Sequence, residues 1–175
     1  MAGMRLHPPC ISRFTALLLV LLLVPQAQAA PGYHPGSYYA AHVIRDGGEL
    51  VRNEDTDNGY RWEEFSVLRI KGNRIPAKTG HGLEVFADVY GMPVGKPVTL
   101  KVTRPVRMAG GEAGSRTYTR TQSLYKSDSD DVQVFSYTYF LDEPDELVTG
   151  EWIIELSYQD TMILRQTFEV YPDPS

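Results

Sequence analysis

One cysteine, Cys10, is all the sulfhydryl chemistry that 175 residues offer. It lies ahead of the one long apolar run, whereas a lipid-modified cysteine would follow such a run. Once the first segment is removed no thiol is left, so disulfides, thiolate metal sites and cysteine nucleophiles are excluded. Four histidines occur, none at a spacing that pairs two on one metal and none in an HExxH arrangement. His81 stands alone between Gly80 and Gly82 and reads as a turn residue. No serine sits in a GxSxG elbow, and no glycine pattern leads from a strand into a helix as a phosphate cradle requires. With these constellations missing, catalysis is not expected, and no cofactor is called for. A pair of carboxylates set by spatial separation stays open, because sequence does not display it.

Long hydrophobic stretches are equally scarce. Ala16 to Val24 is about half of the roughly 20 residues that span a bilayer as a helix. Arg5 and Arg13 precede it, no acidic residue lies among the first 29, and Ala27-Gln28-Ala29 follows it. Basic, apolar and small-residue segments in that order are the layout of a cleaved secretory signal. Cleavage is expected between Ala29 and Ala30, which predicts export to the periplasm or beyond and no lasting membrane insertion. Removing 29 of the 175 residues leaves 146, enough for one domain with its own core. Taking Arg5 and Arg13 from the 17 basic residues leaves 15 against 22 acidic ones, a net charge of −7. An acidic surface argues against nucleic acid as a partner.

What the mature chain does contain is short extended segments. Residues 30–41 are rich in Pro, Gly and Tyr without periodicity and read as a mobile arm. Residues 42–175 read as one domain. Leu83, Val85, Ala87 and Val89 share a strand face. Val98, Leu100 and Val102 alternate with polar residues, as do Phe135, Tyr137, Tyr139 and Leu141. Residues 116–125 form a polar strand whose arginines suit a sheet edge. Trp152, Ile154, Leu156 and Tyr158 fall on one face, and Met162, Leu164, Gln166, Phe168 and Val170 define a closing strand. Some seven strands at intervals of about 8–12 residues predict an all-β, antiparallel sandwich or barrel.

Ligand signals are weaker. Asp128, Asp130 and Asp131 could hold calcium between strands, although such residues also build polar turns. Around Gly59 the EF-hand register fails, since Phe65 takes the position of the bidentate glutamate. Tyr38, Tyr39, Tyr60, Trp62 and Tyr118 could form an aromatic surface for sugars or a protein partner, or could be core-covering strand residues.

The run from Ser136 to Trp152, with its aromatic strand, acidic turn and Glu146-Leu147-Val148-Thr149-Gly150-Glu151-Trp152, resembles the hallmark of the bacterial family called domain of unknown function 3859. The closing Thr167-Phe168-Glu169-Val170 and the stretches Arg74–Leu83 and Gly91–Gly95 resemble its remainder. Asp145 stands where that pattern has an aromatic. The resemblance covers about residues 64–171. It implies an exported immunoglobulin-like sandwich and no established activity, so no catalytic residue is carried over. In physical terms, Glu146-Leu147-Val148 descends from one sheet toward the other, Gly150 permits the turn, Trp152 anchors the core between sheets, and Phe168 belongs to the closing element of the motif. The leading expectation is a non-catalytic binding or structural module for a protein or envelope component. A carbohydrate-binding module, a calcium-stabilised module and an unrecognised enzyme are the alternatives.

Overall fold

A computed structural model describes residues 29–52, 60–108, 110–126 and 132–173. The expected signal segment up to residue 28, the acidic loop 53–59 and the cluster Asp128, Asp130 and Asp131 lie outside the described residues. Eleven strands follow in chain order: β1 (Gly32–Tyr33), β2 (Tyr39–Arg52), β3 (Tyr60–Lys71), β4 (Arg74–Pro76), β5 (His81–Tyr90), β6 (Val98–Arg107), β7 (Ala113–Gln122), β8 (Tyr125–Lys126), β9 (Gln133–Phe140), β10 (Gly150–Tyr158) and β11 (Thr161–Tyr171). They form two sheets, ordered β3-β2-β5-β9-β8 and β4-β11-β10-β6-β7, with β1 beside β5. Only β4 against β11 is parallel. The fold is an all-β, immunoglobulin-like sandwich.

The alternation read from the sequence is what closes the two layers. Leu83, Val85, Ala87 and Val89 project from the first sheet, and Leu100, Val102, Trp152, Ile154 and Leu156 from the second; each is fully buried. Phe135, Leu141 and Phe168 complete the centre, and the Trp152 ring lies 5.1 Å from that of Tyr139. Met162, placed on the inward face of the closing strand by its spacing, is instead half exposed. The ladder slips between Leu156 and Ser157, so the strict alternation does not reach the turn end of β11.

The lead at residues 30–41 is a correction. Gly32 and Tyr33 pair with Tyr90 and Val89, and Tyr39 to Ala41 already belong to β2. Tyr33, Tyr38 and Ala40 pack against the core, and the Tyr38 hydroxyl donates to Gln166. The segment lacks periodicity because a turn at residues 35–37 splits it. It is anchored by aromatics rather than free. Ala29 and Ala30, flanking the expected cleavage point, are exposed, and their carbonyls lie close enough to Gly91 that no side chain fits there.

β2 pairs with β5 only from Tyr39 to Ile44, yet with β3 as far as Arg52. The outer halves of β2 and β3 therefore overhang the body as a two-stranded arm. Arg45 pins its base. Its guanidinium bonds Asp142 at 2.9 and 2.7 Å and lies 4.3 and 4.4 Å from the ring centres of Trp62 and Phe140.

Candidate functional site

β7 forms one edge of the second sheet, with β6 as its ladder partner. Its sequence, Ser115-Arg116-Thr117-Tyr118-Thr119-Arg120-Thr121-Gln122, alternates strictly. Tyr118 pairs with Val102 and Arg120 with Leu100, both fully buried. Arg116, Tyr118, Arg120 and Gln122 thus share the inward face, while Ser115 and the three threonines face out. The row faces β9 across the open side of the sandwich. The Tyr118 and Tyr137 hydroxyls meet at 2.6 Å, the Gln122 amide donates to the Ser136 carbonyl at 3.2 Å, and the Arg120 guanidinium lies 5.5 Å from the Tyr137 ring centre. Two adjoining clefts of about 520 Å³ each share Arg120, Tyr137 and Thr138 among their walls.

The floor of this side belongs to the acidic turn between β9 and β10. Glu146 is buried and accepts the backbone N–H groups of Asp142 at 2.9 Å and Glu143 at 3.0 Å, as well as the Tyr139 hydroxyl. Arg104 donates to Asp145 at 3.1 Å. Its other terminal nitrogen is 3.9 Å from Glu146, within ion-pair reach but beyond hydrogen-bond length, and is buried without a closer partner. The guanidinium caps the Trp152 ring at 5.7 Å. Leu147 packs on the core, Val148 is buried, and Gly150 opens β10 at φ 138°, a conformation that side chains disfavour. The connection runs from β9 in the first sheet to β10 in the second, Trp152 and Phe168 are fully buried, and the turn lies at residues 144–146, with Gly150 already paired to Val170 in β10.

Burial is the main cause of high phenol pKa values here. It raises Tyr137 far above its ordinary value, helped by Tyr118, and raises Tyr139, helped by the hydrogen bond to Glu146. Both phenols stay protonated and serve as hydrogen-bonding groups, not as bases.

The electrostatics of the row are unbalanced. Arg104 and Arg116 are direct cross-strand neighbours, and like charges so placed repel. Arg104 has Asp145 and Glu146 to offset it. No acidic side chain among the described residues pairs with Arg116 or Arg120. Arg116 and Arg120 are thus two exposed cations on one face of a chain whose net charge is −5.

The other sequence candidates do not converge. Tyr38 sits beside Tyr33, Tyr39 stacks on Phe86 at 5.3 Å, Trp62 covers Arg45, and Tyr118 belongs to the row described above. The side chain of Tyr60 lies outside the described residues. Two histidines that spacing leaves solitary do meet: His42 Nε2 and His81 Nδ1 are 2.8 Å apart on the inward face of the first sheet. Burial lowers both pKa values, with His81 adding to the effect at His42 and Lys78 at His81. No group of three metal-ligating side chains occurs among the described residues. No helix among them is long and apolar enough to cross a membrane.

The chain is similar to the crystal structure of an immunoglobulin-like protein from Pseudomonas aeruginosa, with a TM-score of 0.53, 18% identity, and coverage of 83% of this chain and 99% of that one. This likeness is one of fold. No family model matches the sequence, and no curated protein matches it.

Proposed function

We propose that this β-sandwich is a non-catalytic recognition module of an exported bacterial protein, and that it binds its partner along the open side between β7 and β9. The observation that carries the reading is the inward row Arg116, Tyr118 and Arg120, whose two arginines have no acidic partner among the described residues and of which Arg116 stands directly opposite Arg104. Local conflict of this kind is kept where a ligand resolves it. The immunoglobulin-like fold supports the reading, because such sandwiches offer edges and clefts for recognition. The resemblance of Ser136 to Trp152 to the 3859 family supports the exported setting, as does the layout of the first 29 residues.

The test is site-specific photo-crosslinking in cells that make the protein. A photoreactive residue at Tyr125, exposed on the wall of the cleft beside Arg120 and Ser136, should trap a partner band. The same residue at Glu169, exposed on β11 across the sheet, should not. Crosslinking at Glu169 alone, or at neither position, would refute the reading.

A further inference from the structure

We infer that the open side accepts an extended acidic peptide, which adds as a strand beside β7 and sets carboxylates against Arg116 and Arg120. This deepens the reading above and rests on it.

Three observations converge on that ligand. β7 runs for ten residues with β6 on one side and no strand among the described residues on the other. Every second residue of such an edge turns its N–H and C=O outward, ready to pair with another extended chain. Arg116 and Arg120 are four residues apart on one face, about 13 Å at roughly 3.3 Å per residue. A flat added strand matches that interval with acidic residues at i and i+4, leaving the residue between them over Tyr118. The opposite face of β7, Ser115 and three threonines, carries no charge, and Thr117 already bonds Thr103 at 2.8 Å. Among the described residues nothing there obstructs a strand lying flush.

A second copy of this chain is the wrong occupant. Pairing β7 with β7 brings arginine rows together, the arrangement by which edge strands avoid self-association. The same charges that repel a copy attract an acidic strand, so the edge is selective rather than merely guarded.

The experiment uses fluorescein-labelled Thr-Glu-Thr-Val-Thr-Glu-Thr and fluorescence anisotropy with the mature chain. Three comparison peptides accompany it: one with the second glutamate moved one position earlier, one with lysine for both glutamates, and one N-methylated at alternate residues. The matched peptide should bind at least tenfold tighter than each, and more weakly as salt rises. The double variant Arg116→Glu/Arg120→Glu, with its circular dichroism spectrum unchanged, should lose the matched peptide at least tenfold and gain the lysine peptide. Equal binding of the shifted peptide or of polygalacturonate at equal charge would overturn the inference, leaving only attraction of any polyanion. Indifference to N-methylation would overturn the added strand. Crosslinking at Tyr125 without binding of the matched peptide would sink the acidic strand alone. Absence of crosslinking and of binding would sink the site with it.

Discussion

Replacing Trp152 with alanine and, separately, with phenylalanine distinguishes what its apolar surface contributes from what its indole nitrogen costs. The ring is fully buried, beside Tyr139 and beneath Arg104, and its Nε1–H meets no acceptor among the described residues. An aromatic side chain of this size buries roughly 150–250 Å², which at about 25 cal/mol per Å² is an upper bound near 4–6 kcal/mol. Truncation to alanine in a core typically costs about 3–5 kcal/mol, and Trp152→Ala is expected in that range. Phenylalanine gives a different balance. Losing the second ring costs about 1–2 kcal/mol in transfer and cavity terms. Removing an unpaired buried donor returns about 1–3 kcal/mol. Trp152→Phe should therefore lie between about 1 kcal/mol less stable and about 2 kcal/mol more stable than the parent, with the contact to Arg104 retained. Urea unfolding at pH 7, with equal m-values for all three proteins, measures both differences. A phenylalanine variant as damaged as the alanine one would refute the reasoning. It would mean that the indole N–H is satisfied in solution and that the cluster around Arg104 is wet. A loss under about 1 kcal/mol for alanine would refute the burial itself.

Other perturbations reach other parts of the sandwich. Both His42 and His81 have folded-state pKa values below the ordinary 6.5. The unfolded chain therefore binds protons first, and stability should fall as pH drops below about 6.5. His81→Asn should flatten that slope when urea midpoints at pH 7.5 and 5.5 are compared; an unchanged slope would exclude the pair as its source. Arg45→Lys loses the bidentate bond to Asp142 and the flat stacking between Trp62 and Phe140. It should destabilise the protein by about 2–4 kcal/mol and speed amide exchange in β2 beyond Arg45, read by mass spectrometry. At Gly82 a Cβ would sit 2.0 Å from the Tyr139 carbonyl oxygen. Gly82→Ala should part β5 from β9 and yield an insoluble or unfolded chain; a soluble variant within about 1 kcal/mol of the parent would contradict that approach.

The layers of the sandwich were legible because each core strand carries its own period: Leu83 to Val89, Val98 to Val102 and Trp152 to Leu156 read as inward rows without any partner in view. The site was half legible. Arg116, Tyr118 and Arg120 lie on one face by alternation alone, yet in sequence the arginines read only as a charged edge and Tyr118 only as one of several scattered aromatics. Their meaning depends on Arg104 opposite Arg116, which the register of the β6–β7 hairpin sets, and on Tyr137 across the gap, which the packing of the two sheets sets. His42 and His81 stayed apart in the sequence reading for the same reason, since 39 residues separate them and only the antiparallel pairing of β2 with β5 brings them to 2.8 Å. The lead at 30–41 failed differently. Its Gly and Pro residues signal a break in the chain, and the break is real, but Tyr33 and Tyr38 on its two sides are held by the core.

The pairing of β5 with β9 has a temporal consequence. Val85 meets Tyr137 and Ala87 meets Phe135, so the middle of the first sheet joins only after most of the chain is available. Hairpins such as β10–β11 form locally within microseconds. The closing of β5 on β9 must enclose a long loop first, and folds dominated by such pairings take milliseconds to seconds. The first sheet is therefore complete only once β9 has been made, however early the hairpins on either side of it form.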